Sequence, residues 1–267
     1  MEKIKAIFID LDGTLLNTEK KISELNKKVI KKLIEKGISV HIATGRSYYS
    51  MKSYKDELGL DTEIICYNGA KIIDGLTEET INEILLKEDV SKKIIEIGRK
   101  NNIHMNVFQN EKLYVENENE IIQNYKITSS INYNIKNFNT FNNYEFLKIM
   151  FIDENSILKK VEKEIRAVLS NEVYLAYSRS TYLEILDKNV SKGGAVGVVI
   201  DRRKLKKEET MAIGDAENDI EMLDIVGTPV CMGNADENIK NRYKNIAPSN
   251  DESGLGVFLN EYFKLNL

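Results

Sequence analysis

Ile4-Lys5-Ala6-Ile7-Phe8-Ile9-Asp10-Leu11-Asp12-Gly13-Thr14-Leu15-Leu16 is the stretch on which the reading of this chain turns. Its apolar, β-branched run from Ile4 to Ile9 predicts a buried strand. The run ends on two carboxylates, Asp10 and Asp12, one residue apart. Such residues share a face, so both carboxylates can stand together past the strand end, where open parallel sheets bind their ligands. Two like charges that close need compensation, by a metal cation or a shared proton. Gly13 supplies the sharp turn by which the chain leaves the site. The same residues also suit an N-cap and turn after an edge strand, and Asp-x-Asp-Gly recurs in calcium loops.

The chain has 267 residues, long enough for two compact domains or one large one. A hydrophobic content of 42% supports a core, and charged content of 30% with formal net charge -4 describes an ordinary soluble surface. That mild acidity argues against nucleic-acid binding, which wants a basic stripe. No apolar run reaches membrane-spanning length, and no signal peptide precedes the first strand, so the expected location is the cytoplasm, with no membrane partner. Cys66 and Cys231 lie far apart in apolar contexts and read as buried reduced thiols. No zinc-type Cys/His spacing occurs, and His41 and His104 have no triad partners. His41 reads as a packing residue in a buried strand and His104 as a structural one. Chemistry therefore falls to carboxylates, Lys, Arg and hydroxyls.

Helical spacing of Ile22, Leu25, Val29, Ile30, Leu33 and Ile34 predicts a helix closed by Gly37. A second strand over 38–43 ends in Thr44-Gly45-Arg46, a helix follows over 47–58, and a third strand over 64–67 ends in Asn68-Gly69-Ala70. Strand and helix alternate as in a parallel sheet with right-handed crossovers. The rhythm breaks over 82–187, where helix-like and strand-like stretches mix. This part reads as an inserted α+β domain, in which Tyr174, Tyr177 and Tyr182 belong to the core and the Asn-rich piece at 131–143 forms a surface loop or amphipathic segment. The βα rhythm returns after 188 with a helix over 191–199, a strand over 210–213, the loop Gly214-Asp215-Ala216-Glu217-Asn218-Asp219 and further βα elements to the C-terminus. The expectation is thus an α/β Rossmann-like core, 1–81 and 188–267, interrupted by an α+β insertion, 82–187.

Asp10-Leu11-Asp12-Gly13-Thr14, Thr44-Gly45-Arg46, Ser191-Lys192-Gly193 and Gly214-Asp215-Ala216-Glu217-Asn218-Asp219 stand in the order of the four motifs of the haloacid dehalogenase-like (HAD) hydrolases. The spacing resembles the Cof-type phosphatase branch, as do Asn68-Gly69-Ala70 and Val230-Cys231-Met232-Gly233-Asn234-Ala235. Each motif alone is weak; four in order, each at a strand end or helix start, are specific. The resemblance covers the sheet domain, while the insertion matches in position and size. It implies a cap that closes over the site and shapes the leaving-group pocket.

The resemblance implies Mg2+-dependent hydrolysis of small phosphomonoesters, sugar phosphates or phosphorylated cofactors, through an aspartyl-phosphate. Asp10 is then the nucleophile and Asp12 the acid that protonates the leaving oxygen and the base that deprotonates water. Asp10, Asp215 and the backbone carbonyl of Asp12 hold Mg2+, and Asp219 orients the metal's waters. Thr44 and the backbone at Gly45 meet the phosphoryl oxygens, Lys192 adds a positive charge, Asn218 bonds phosphate or Asp10, and Asn68 borders the substrate entrance. Arg46 reads as a structural or rim contact. Each residue has a plainer reading: Thr44 as a helix N-cap, Lys192 as a surface lysine, Asp215 and Asp219 as dipole-favoured helix-start acids. Their joint order decides for the site. The rivals are a phosphomutase using the same aspartyl-phosphate and a non-catalytic sugar-phosphate-binding regulator. Either a monomer or a homodimer fits this reading.

Overall fold

The computed structural model describes residues 4–129 and 131–267. In chain order the strands are β1 (Ala6–Ile9), β2 (Ser39–Ile42), β3 (Ile64–Cys66), β4 (Lys71–Ile73), β5 (Thr80–Glu83), β6 (His104–Gln109), β7 (Lys112–Val115), β8 (Tyr133–Ile135), β9 (Lys148–Ile152), β10 (Val173–Arg179), β11 (Tyr182–Asp187), β12 (Thr210–Gly214), β13 (Thr228–Met232) and β14 (Asn245–Ala247). The helices are α1 (Glu24–Glu35), α2 (Tyr48–Leu58), α3 (Glu88–Lys100), α4 (Glu120–Ser129), α5 (Asn155–Leu169), α6 (Lys192–Arg202), α7 (Ile220–Ile225), α8 (Glu237–Lys240) and α9 (Gly254–Phe263). The chain divides into two compact units: 1–44 with 52–81 and 191–267, and 45–51 with 82–190. Among the described residues no helix is long and apolar enough to cross a membrane.

The first unit is built on a parallel sheet in the order β14-β13-β12-β1-β2. β1 and β12 are buried along their whole length, as strands covered on both faces must be. Strand order changes direction between them: the chain runs outward from β1 through β2, then returns on the other side through β12, β13 and β14. That is a topological switch point, where the strand ends open a crevice. Helix α1 forms where its sequence pattern asks. Ser23 caps it by accepting from the Asn26 N–H at 3.2 Å, while Val29, Ile30 and Leu33 are buried. Asn26, also buried, donates to Leu15 O at 3.1 Å and accepts from Gly256 N at 2.8 Å, pinning α1 to the loop after β1 and to α9.

The third strand departs from expectation. β3 meets β2 through a single parallel bridge, Ala43 to Ile65, and then pairs antiparallel with β4 in a small sheet of order β3-β4-β5. Tyr67 and Asn68 take left-handed backbone conformations, φ 50° and 55°, so the chain reverses there and cannot extend the parallel strand. Both cysteines are buried thiols, as expected.

The second unit is a sheet in the order β10-β11-β9-β6-β7-β8, antiparallel except for the β7–β8 pair. Met105, Val107, Ile149, Phe151, Leu183 and Ile185 alternate onto one face and pack with the apolar stripes of α3 and α5. The Asn-rich segment takes the amphipathic form, one of its two expected alternatives. β8 pairs with β7, and Phe138 and Phe141 are buried in the core; these two rings outweigh the polar residues around them. Tyr177 packs at the edge of the same core, and His104 is held between two amides, Asn119 donating to Nδ1 at 3.0 Å and Nε2 bonding Asn106 Oδ1 at 2.9 Å.

Candidate active site

Asp10 lies immediately past β1 and Asp215 immediately past β12, the two strands that flank the switch point. The Asp10 N–H donates to Ile213 O at 3.0 Å, which fixes the end of β1 against β12. Lys192 opens α6, whose N-cap Ser191 accepts from Gly194 N at 3.0 Å. Its ammonium reaches Asp10 Oδ1 at 2.5 Å and Asp219 Oδ1 at 2.6 Å. All three side chains are buried. The other oxygen of Asp219 accepts from the N–H groups of Asp215 and Ala216 at 3.0 and 3.1 Å. Asp219 therefore shapes the loop that presents Asp215 while it orients Lys192.

Asp215 is held from the β1 side. Thr14 Oγ1 donates to its Oδ1 at 2.9 Å. Gly13 sits against it with φ +89°, and a Cβ there would come within 2.8 Å of Asp215 Cγ. Only glycine suits both the backbone angle and the approach. The Asn234 amide, past β13, reaches Asp215 Oδ2 at 3.3 Å and Gly13 O at 2.9 Å.

The electrostatics follow from three acids around one ammonium. Carboxylate oxygens of Asp10, Asp215 and Asp219 lie within 4.8 Å of one another. Burial pushes Asp10 well above the ordinary carboxylate range, against the pull of Lys192 and with help from Asp219 and Asp215. Burial and the charge of Asp219 push Asp215 up to about 7, though Thr14 and Lys192 pull it down. Burial works against the Lys192 ammonium, but Asp10 and Asp219 outweigh it and hold it above the usual lysine range. The set retains excess negative charge and offers hard oxygen donors, which suits a divalent cation such as Mg2+.

The other expected residues are placed differently. The Asp12 carboxylate stands outside the three-acid cluster and accepts from Lys20 Nζ at 2.7 Å. Thr44 is buried past β2; its N–H donates to Ile65 O and its carbonyl accepts from Asn68 N. Asn218 donates to Asn68 Oδ1 at 2.9 Å, so these two amides bond each other. Gly45 O accepts from Lys148 Nζ at 3.1 Å, and that lysine is paired with Glu184. Arg46 donates to Ser50 O at 3.4 Å. Sequence reading passed over Thr14 and Lys20 and gave Asn234 no role of its own. Thr14 and Asn234 stood inside quoted stretches; nothing local singles out Lys20.

Residues 7–259 match the family model of the haloacid dehalogenase-like hydrolases. The chain belongs to that family. It falls in the Cof-type branch expected from its motifs, and it is a phosphatase. A Streptococcus pyogenes protein provisionally named a phosphatase is 33% identical over 260 residues, covering 94% of this chain and 96% of the relative. A Bacillus subtilis protein named 5-amino-6-(5-phospho-D-ribitylamino)uracil phosphatase is 30% identical over 253 residues, covering 94% and 93%. A crystal structure of a haloacid dehalogenase-like hydrolase from Bacteroides thetaiotaomicron superposes with TM-score 0.90 at 28% identity, covering 98% of this chain and all of that one.

Proposed function

We propose that this HAD phosphatase hydrolyses small phosphomonoesters, sugar phosphates or phosphorylated cofactors, through an aspartyl-phosphate on Asp10, with Mg2+ as its cofactor. The observation that carries the reading is the buried contact of Lys192 with Asp10 at a switch point that also gathers Asp215 and Asp219. Mg2+ would be held by Asp10, Asp215 and the Asp12 carbonyl, and when bound it supplies the positive charge that lets an anionic ester approach anionic carboxylates.

An Asp10 carboxylate oxygen attacks phosphorus, and the bond from phosphorus to the leaving oxygen breaks. Asp12, protonated, gives its proton to that oxygen, so an alcohol leaves. Asp12, now a carboxylate, takes a proton from water as the water oxygen attacks phosphorus, and the bond to Asp10 breaks to release inorganic phosphate. Before this cycle Asp12 exchanges its contact with Lys20 for the leaving oxygen. Lys192 draws Asp10 toward its ionised form against burial and holds it in place, and Thr44 offers its hydroxyl to the phosphoryl oxygens. Asn218 and Asn68 act as a pair at the substrate entrance. The insertion, read as 82–187, selects the substrate. The buried thiols of Cys66 and Cys231 suit a cytoplasmic enzyme.

The test is a phosphate-release screen over phosphorylated metabolites, the ribitylaminouracil phosphate of the Bacillus relative among them, with Mg2+ and without any sugar bisphosphate. Wild type turns over and Asp10→Asn, folded, does not. Activity retained by Asp10→Asn, or full rate in excess chelator, overturns the mechanism. Turnover only with a bisphosphate activator identifies the mutase instead.

A further inference from the structure

One side chain outside the four ordered motifs ties three loops together at Asp215. The Asn234 Nδ2 donates to Gly13 O at 2.9 Å and to Asp215 Oδ2 at 3.3 Å. Its Oδ1 accepts from Asn250 N at 3.0 Å, and the Asn250 amide in turn donates to Leu16 O at 2.9 Å. The loop after β1, the loop after β12 and the segment after β14 thus meet at one amide that protrudes from the turn after β13. Asp215 consequently has one donor on each carboxylate oxygen, Thr14 on Oδ1 and Asn234 on Oδ2.

We infer that Asn234 is a positioning residue for cation binding: it fixes the plane of the Asp215 carboxylate so that the remaining lone pairs point where the ion is taken up. The inference rests on the cation reading above. Rotation about the last torsion of an aspartate is broad and soft, so two donors on opposite oxygens are what hold the plane. Each oxygen keeps a lone pair for a ligand, since an ionised carboxylate accepts at about four sites. Deleting Asn234 leaves Thr14 as the other holder and charges ion binding with the ordering of Asp215. Loss of such a supporting hydrogen bond typically weakens metal affinity about 10- to 100-fold. Asn234 is exposed and water competes for its place, so the low end applies.

The experiment compares wild type with Asn234→Ala and Asn234→Leu, the second close in shape and without a donor. Mg2+ alone is titrated by calorimetry, thermal midpoints are taken in chelator, and phosphatase rate is followed against Mg2+ concentration. The expected result is a midpoint within a few degrees of wild type, a Mg2+ dissociation constant raised about tenfold, a matching rise in half-saturating Mg2+, and a kcat that recovers at saturating Mg2+. An unchanged dissociation constant overturns the inference. So does a lower kcat at every Mg2+ concentration with half-saturation unmoved, or unfolding of both variants in chelator, because either makes Asn234 a staple of the fold alone. If wild type itself takes up no Mg2+, the cation reading falls first; if wild type and both variants bind alike, only the role of Asn234 falls.

Discussion

Lys192 Nζ stands 2.6 Å from Asp219 Oδ1 with both side chains buried, and the same ammonium stands 2.5 Å from Asp10 Oδ1. One cation thereby bridges two acids drawn from opposite ends of the chain. Removing one member of a buried ion set strands the others, at a cost of about 3–5 kcal/mol. Lys192→Met is expected to lower stability by an amount of that order at neutral pH and to abolish turnover. The loss shrinks at low pH, where Asp10 takes up a proton. Denaturant unfolding at pH 5 and pH 8 checks this, and equal losses at both pH values would contradict the electrostatic account.

Asp215 carries a pH dependence of definite sign. Its folded value, about 7, lies above the ordinary 3.8, so the unfolded chain gives up the proton first. Stability from this group is fully present below pH about 4 and is lost as pH rises through about 7. The change is on the order of 4 kcal/mol. In chelator, Asp215→Asn should remove that decline. Mg2+ reverses it by favouring the ionised form, so Mg2+ affinity should fall as pH drops below 7, with protons released from Asp215 and Asp10 on binding. Calorimetry in buffers of different ionisation enthalpy counts the protons.

His41 opposes that slope. Its ring stacks on Phe8 at 4.8 Å, Nδ1–H donates to Glu63 O at 3.1 Å, and the buried Nε2 has no partner. Burial, with Arg203 adding, lowers its value to about 4 from 6.5. For a depressed histidine the unfolded chain takes the proton first, so stability is lost as pH falls from about 6.5 to about 4, by on the order of 3 kcal/mol. Asp215→Asn in chelator should uncover this acid limb. Adding His41→Phe, which keeps the stack, should flatten it whatever its cost at neutral pH. An acid limb undiminished in the double variant would assign it elsewhere.

Gly13→Ala tests the contact between the two loops. The added methyl needs a left-handed backbone and space that the Asp215 carboxylate fills. The stability cost should exceed about 1 kcal/mol. The more telling result is weaker Mg2+ binding through displacement of Asp215. Unchanged affinity and activity would mean that the loop relaxes freely.

Much of the fold was legible because its signals are local. The β-branched run before Asp10, the 3.6-residue stripe of α1 and the motif order each report their surroundings within a few residues. Elements without a local signal escaped. β4 has three residues, β8 has three amid asparagines, and α9 opens Gly-Leu-Gly-Val with no polar face to mark a helical period. For the Asn-rich segment composition left a surface loop and an amphipathic segment open, and two buried phenylalanines decide for the second.

The site divides in the same way. The sequence by itself determined which acids and which lysine were available, and their order at strand ends and helix starts, because strand periodicity and turn chemistry are properties of neighbouring residues. Only the tertiary structure decided how they combine: Lys192 between Asp10 and Asp219, Asp219 turned onto its own loop, Asp12 paired with Lys20, Asn218 with Asn68, and Asn234 against Asp215. Most of those partners come from separate loops, and even Asp12 and Lys20 meet only because the loop after β1 folds back on itself. Charge compensation and the saturation of hydrogen bonds are settled by distance in space, which no spacing along the chain records.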